Sequence, residues 1–358
     1  MSYSKKVKSD FDLDYCKNSI KTFAGQKESM LETFKKGKVP GSKTYMRDID
    51  NIDCNGYRNK LWSWRPGELN LWTGYNNEGK SQALIFLCVL KAINEDWKFA
   101  FFSPENYPPD EFFDDIIHTM LGKTTDKNHK SFDMTECEYL DAFELIKGNF
   151  FFVYPEDKEG RPDFSIENIE KIFEYLIFEE SVKAVVIDPY LKIRHEMMPG
   201  EQEHLYASRF MMDRINFTRK QNVSYHLVMH QTTPRKNPDG NYPPPSSYNI
   251  KGGGTFADSA DNCLSVWRPF RGTDPTSTLV TIKSDKIKKQ KLVGMPHEIE
   301  IDFDRQKNRY VSLDGYDYFS GNSKLIVPEH YSETKFRSNG LSDFGCFPDD
   351  RDNKPNPF

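Results

Sequence analysis

The octet Gly74, Tyr75, Asn76, Asn77, Glu78, Gly79, Lys80 and Ser81 fits the pattern G-x-x-x-x-G-K-[ST]. Two glycines, a lysine and a hydroxyl at this spacing suit the cradling of a phosphate chain. Backbone N–H groups must converge on the phosphates, and bulky side chains would block them. Gly74 and Gly79 allow that backbone path, and a helix opening at the loop adds its positive end. Lys80 is placed to reach β- and γ-phosphates, and the Ser81 hydroxyl to ligate magnesium. Tyr75, Asn76, Asn77, Glu78 and Gln82 complete the expected cradle. The plain alternative is a glycine-containing turn, but an apolar strand precedes this loop and an apolar helix follows it. The implied ligands are ATP and Mg2+.

A triphosphate needs more than a cradle. "AVVIDP" ends in Asp188 at a strand tip, where a carboxylate contact to magnesium is expected. Pro189 follows it, so a water-activating carboxylate cannot sit at that next position. "FFSPEN" offers Glu105 instead, at the tip of the strand after the phosphate-loop helix, as the group that orients water. "HLVMHQTT" places His230 and Gln231 at another strand end. Of the two, Gln231 is the expected reader of the γ-phosphate, and His230 the expected structural residue.

These residues require a frame of alternating strands and helices. Strands are expected at 68–73, 98–103, 150–155, 183–188 and 224–229. Helices are expected at 81–94, from Pro109 onward, near 135–147, at 165–180 and at 202–221. The alternation predicts an α/β fold, a mostly parallel twisted sheet flanked by helices. After Asn262, "CLSVW", "STLVTIK" and "HEIEIDF" read as antiparallel strands extending that sheet at its C-terminal end. Residues 1–60 read as a helical or linker segment and a candidate oligomerisation arm. Residues 61–315 read as the ATPase domain, and 316–358 as an irregular, partly disordered acidic tail.

Composition sets limits. Lys and Arg total 49 against 54 Asp and Glu, so the net charge is −5 and no global basic field exists. Any nucleic-acid contact must be local. The six cysteines are scattered without a C-x-x-C pair, which suggests neither a zinc site nor a disulfide framework. The N-terminal residues lack an apolar leader and no run is long enough to span a bilayer, so a cytoplasmic setting without membrane contact is expected.

In order and spacing these elements resemble the RecA-like ATPase core of ring-shaped replicative helicases of the DnaB and Twinkle type. "RPGELNLWTGYNNEGKS" is similar to that family's entry into its P-loop. "FFSPEN" is similar to its phenylalanine-serine-leucine-glutamate motif, with Pro104 in place of Leu. "VVIDPY" and "VMHQ" match later motifs, and "KGGGTFADSADNCLSVWR" resembles its glycine-containing DNA loop and following strand. The likeness spans about residues 60–312. It implies an ATP-dependent single-stranded DNA translocase and helicase, working as a homo-oligomeric ring expected to be a hexamer, with primase, polymerase or single-strand-binding protein as partners. The pared-down architecture suggests a phage or plasmid source, and so a bacterial host cytoplasm.

One departure concerns catalysis. The family carries Lys-x-Arg on a late strand, directed at a neighbour's nucleotide. Here Lys283 matches, but Asp285 holds the arginine's place. Lys286 and Lys288 are the candidate substitutes, without the guanidinium fork. DNA contact is expected from two loops. One carries Lys192 and Arg194. The other carries Arg235, Lys236, Lys251, Gly252, Gly253 and Gly254, with Tyr242 and Tyr248 placed to stack bases. The terminal "DDRDNKPNPF" resembles the tails of single-strand-binding proteins. Two other functions fit the same motifs: a RecA-like recombinase filament, and a nucleotide switch or helicase loader with little turnover.

Overall fold

The computed structural model describes residue 17 and residues 19–325, apart from 55, 127 and 129–131. The expected tail beyond residue 325 therefore lies outside the described residues. The chain divides into two compact units, Met1–Pro40 and Gly41–Phe358. In the first, α1 (Lys27–Lys36) ends at Gly37, whose φ of 77° only glycine adopts readily. It buries none of its residues.

The second unit begins earlier than residue 60. Met46 and Ile49 are fully buried in the same apolar cluster as Trp62, Trp64 and Trp72. Trp62 Nε1 also donates to Asn70 Oδ1 at 3.0 Å. Residues 41–60 are thus part of the core rather than of the arm. They carry α2 (Arg47–Asp50) and a small antiparallel pair, β1 (Ile52–Cys54) and β2 (Tyr57–Asn59). Periodicity over such short pieces is too weak to announce them.

Among the described residues the main sheet has nine strands. Its parallel part contains β3 (Leu69–Gly74), β4 (Phe99–Phe102), β5 (Phe150–Phe152), β6 (Ala184–Ile187), β7 (Ser224–His230) and β8 (Asn262–Trp267). The antiparallel part adds β9 (Leu279–Ile287), β10 (His297–Asp304) and β11 (Arg309–Ser312). The spatial order is β11-β10-β9-β8-β3-β7-β6-β4-β5. The expected RecA-like architecture is therefore present, with the antiparallel extension at its C-terminal end. One detail differs: β8 enters parallel to β3, and only β9 to β11 run as antiparallel neighbours.

The helices between strands are α3 (Lys80–Glu95), α4 (Pro109–Leu121), α5 (Glu136–Ile146), α6 (Ile166–Glu180), α7 (Glu203–Gln221) and the short α8 (Thr255–Ser259). They cover both faces. On one, Trp72, Phe101, Val186 and Val228 meet the apolar residues of α3, α4 and α5. On the other, Leu71, Ala100, Val185 and Leu227 meet those of α6, α7 and α8. Successive strand residues alternate between the two clusters, as the pleat requires. Strands buried on both faces read as continuous apolar runs, which made them visible in the sequence. Cys137 in α5 is disulfide-bonded, where the cysteine spacing suggested no such framework.

Candidate active site

Four parallel strands deliver the site residues to one sheet edge. β3 ends at Gly74, which lies in register with His230 of its neighbour β7. β6 follows β7, and β4 follows β6 with Phe102 opposite Ile187. Asp188 and the turn Pro104–Asn106, which holds Glu105, therefore leave the sheet on the edge where the phosphate loop lies. Ligands of open α/β sheets bind outside this carboxyl edge.

The loop has the shape its composition implies. A Cβ on Gly74 would stand 2.3 Å from the Val266 carbonyl oxygen, and one on Gly79 2.9 Å from the Tyr310 hydroxyl. Gly79, at φ 86°, precedes the first residue of α3. Lys80 is buried, and its Nζ donates to the Tyr75 carbonyl at 2.8 Å. Burial lowers its pKa, against the opposing pull of Asp188, Glu78 and Glu105. The Ser81 hydroxyl hydrogen-bonds the Asp188 carboxylate. Burial pushes Asp188 up to about 6, the Ser81 bond and Lys80 restrain it, and Glu105 adds to the rise.

These donors fit a magnesium-bound triphosphate. The cradle leaves no room for a side chain, the lysine is its cation, and Ser81 and Asp188 form a hard oxygen pair. Among the described residues no group of three or more His, Cys, Asp or Glu could hold a metal alone. Two protein oxygens suffice where phosphate oxygens and water fill the rest of a magnesium shell.

Glu105 stands at the mouth of this edge, and its carboxylate pairs with Lys192 Nζ at 3.3 Å. Both side chains are 48% exposed. Lys192 thus lies beside the expected base and not only on a loop reserved for DNA.

The side chains of His230 and Gln231 make contacts other than those expected. Gln231 is buried, and its amide donates to the Ser246 carbonyl at 2.7 Å and accepts from the Ser246 N–H at 3.3 Å. Its own N–H reaches the Gly74 carbonyl at 3.4 Å. The Gln231 side chain therefore anchors the long loop, while its main chain touches β3. His230 Nδ1 lies 2.5 Å from Asn76 Oδ1, on the phosphate loop. Its pKa is lowered by burial and by Lys80, with Lys251 and Lys192 adding to the effect and Glu105 opposing it. His230 is the better placed of the two to respond to charge at the loop. Side-chain direction at the end of a strand reverses with each residue, and the sequence does not show where the strand stops.

Two cradle residues have side chains committed elsewhere. Glu78 is fully buried and accepts from the Arg268 N–H at 2.6 Å and Arg271 Nη1 at 2.9 Å. Gln82 donates to Thr119 Oγ1 and the Asn308 carbonyl, each at 3.2 Å. Only their main chain is left for a nucleotide. Arg271 itself also donates to the Asn76 carbonyl. Nothing in the spacing pointed to this arginine, which follows β8 and lies far from the loop in sequence.

The basic candidates on β9 are tied within the chain. Lys283 Nζ pairs with Asp285 at 3.0 Å, and Lys286 Nζ donates to the Ala257 and Asp258 carbonyls at 2.9 and 2.7 Å. Lys288 pairs with Asp261 at 3.1 Å. The two expected DNA loops are partly structured. Arg194 pairs with Asp163 and Glu196. Tyr242, expected to stack bases, packs its ring on Tyr75 of the phosphate loop at 5.8 Å, and Lys236 Nζ lies over the same ring at 5.2 Å from its centroid. Tyr75 Oη donates to the Pro243 carbonyl. Tyr248, by contrast, is 73% exposed. Arg235 and Lys251 are exposed, and Gly252 and Gly253 have φ of 95° and 98°.

No family model matches the chain. A segment of 272 residues, 75% of this chain, is 25% identical to the Twinkle homolog protein, chloroplastic/mitochondrial, of Arabidopsis thaliana. The chain spans only 36% of that relative's length. The ATPase domain of G40P superposes with a TM-score of 0.62 at 13% identity, covering 80% of this chain and 98% of that one. A DnaB-like replicative helicase, solved in a study of its interactions with primase, gives 0.59 at 13% identity, over 82% and 67%. The fold is the RecA-like ATPase fold of these helicases. No helix among the described residues is long and apolar enough to cross a membrane.

Proposed function

We propose that the chain is the motor core of a replicative DNA helicase, a ring-forming translocase that hydrolyses ATP on single-stranded DNA. The observation that carries this reading is the convergence of Lys80, Ser81, Asp188, Glu105 and His230 on one edge of the sheet. Magnesium, when bound, would neutralise negative charge developing on the phosphates. Ser81 and ionised Asp188 would hold it. Lys80 would exchange the Tyr75 carbonyl for phosphate oxygens. Glu105 would accept a proton from the attacking water as its oxygen bonds the γ-phosphorus and the bond to the β–γ bridging oxygen breaks. His230 would sense the departing charge, and Gln231 would pass loop movement to Ser246 and the strand-facing segment beyond it.

That segment, with Lys251, Gly252, Gly253, Gly254 and exposed Tyr248, is the proposed DNA contact, with Arg235 and Arg194 as outer charges. The Arabidopsis likeness and the helicase fold support this assignment. Met30, Leu31 and Phe34 of α1 are exposed apolar residues. They support its use as an arm packing on a second copy, in a ring that a primase-type partner would meet.

Asp285 in place of the trans arginine favours a second reading, a nucleotide switch or loader with little turnover. Phosphate release with and without single-stranded DNA separates them. The motor reading expects DNA-stimulated turnover that collapses in Glu105→Gln while nucleotide binding persists. A wild-type chain that binds ATP without turning it over, with or without DNA, supports the switch.

A further inference from the structure

We propose that Arg271 supplies, from within the same subunit, the guanidinium beside the γ-phosphate that Asp285 cannot provide across the interface, and that buried Glu78 holds it there. The inference rests on the ATPase reading above. Arg271 Nη1 donates to the carbonyl of Asn76, at the tip of the phosphate loop, and to Glu78 Oε1 at 2.9 Å. Glu78 is 1% exposed. A carboxylate so desolvated requires a partner, and here its two oxygens are shared between Arg271 and the Arg268 N–H. The pair therefore fixes the guanidinium plane rather than leaving it to solvent.

Several observations point this group at the phosphates. Among the described residues its Nε and Nη2 make no hydrogen bond, so part of the planar fork is left for an anion. The segment that carries it is pinned at both ends. Arg268 Nη2 donates to the Pro275 and Ser277 carbonyls, and Thr273 bonds Asn241 Oδ1. Meanwhile Lys283 and Lys286 are engaged within their own subunit. Arginine at such a position stabilises charge on the transferring phosphoryl group, and removing it lowers turnover by about 10³-fold or more.

The rival explanation is that Arg271 merely clamps the loop. Arg271→Ala, Arg271→Lys and Glu78→Gln separate the two. Dissociation constants for ADP and for a non-hydrolysable ATP analogue, both with magnesium, are measured by fluorescence. So is retention of ADP with aluminium fluoride, and phosphate release is followed in parallel. We expect Arg271→Ala to hold ADP within threefold of wild type, to lose its preference for the triphosphate analogue and aluminium fluoride complex, and to turn over about 10³-fold more slowly. Lysine should restore little, because it lacks the fork. Mixed assemblies of Arg271→Ala and Asp188→Asn chains should stay inactive, since each subunit needs both residues. Equal loss of ADP and ATP-analogue affinity, an unchanged triphosphate preference, or recovery of turnover in the mixture would each overturn the proposal. A wild-type chain without turnover would sink the ATPase reading alone, because the nucleotide preference of Arg271→Ala is read without hydrolysis.

Discussion

Asp188→Asn should make the nucleotide-free protein more stable while abolishing its activity. The carboxylate is buried, and its pKa stands at about 6 against the ordinary 3.8. At 1.36 kcal/mol per pH unit, that rise corresponds to about 3 kcal/mol of destabilisation when the group is ionised in the fold. The sign follows from where protons bind. Between pH 3.8 and about 6 the folded state holds a proton that the unfolded state has lost, so wild-type stability falls as pH rises through this window and the cost is complete by pH 7.5. Asparagine keeps an oxygen for the Ser81 hydroxyl and carries no charge. Thermal unfolding at pH 7.5 should therefore rise by about 3–8 °C in the variant. The gain should shrink towards nothing by about pH 3, where Asp188 is protonated in the folded and the unfolded chain alike. Magnesium-dependent nucleotide binding should weaken at the same time, because the hard oxygen ligand is gone. A variant less stable than wild type at pH 7.5, or a gain that does not change with pH, would refute the reasoning.

Other consequences follow from the same geometry. Gly74→Ala forces a Cβ within 2.3 Å of the Val266 carbonyl at a φ of 151°. Displacing the loop by about an ångström should weaken nucleotide binding or turnover by about 10²-fold, measured by titration and phosphate release. Retained wild-type behaviour would show that the close approach does not matter. Lys192→Ala removes an ion pair that is half exposed on each side and worth at most about 1 kcal/mol. Freeing Glu105 should raise DNA-independent turnover, by no more than about fivefold, while DNA stimulation falls. A drop in basal turnover would mean that Lys192 assists the carboxylate instead of restraining it.

Much of the site was legible because it is local. The phosphate loop is one contiguous octet between two apolar runs, and Asp188 and Glu105 close strands whose burial on both faces makes them unbroken hydrophobic stretches. The sheet order then brings the tips together. What stayed hidden depends on contacts between distant segments. Arg271 meets Glu78 across the β3–β8 pair, and Tyr242 leans on Tyr75 from the far end of a long loop. No spacing rule encodes either. The choice between His230 and Gln231 turned on one residue of register, where a single step reverses which side chain faces the loop. Residues 41–60 looked too polar to be core, yet a few large side chains, Met46 and Ile49 among them, are enough to bind that stretch to the tryptophan cluster.

The central claim is that this sheet edge holds a magnesium-bound nucleotide. A crystallographic map of the chain grown with a non-hydrolysable ATP analogue and magnesium tests it most directly. The account predicts phosphate density against the main chain of residues 75–80, a cation between Ser81 and Asp188, and Lys80 withdrawn from the Tyr75 carbonyl. Nucleotide bound elsewhere, or a phosphate loop unchanged and empty at saturating analogue, would contradict it.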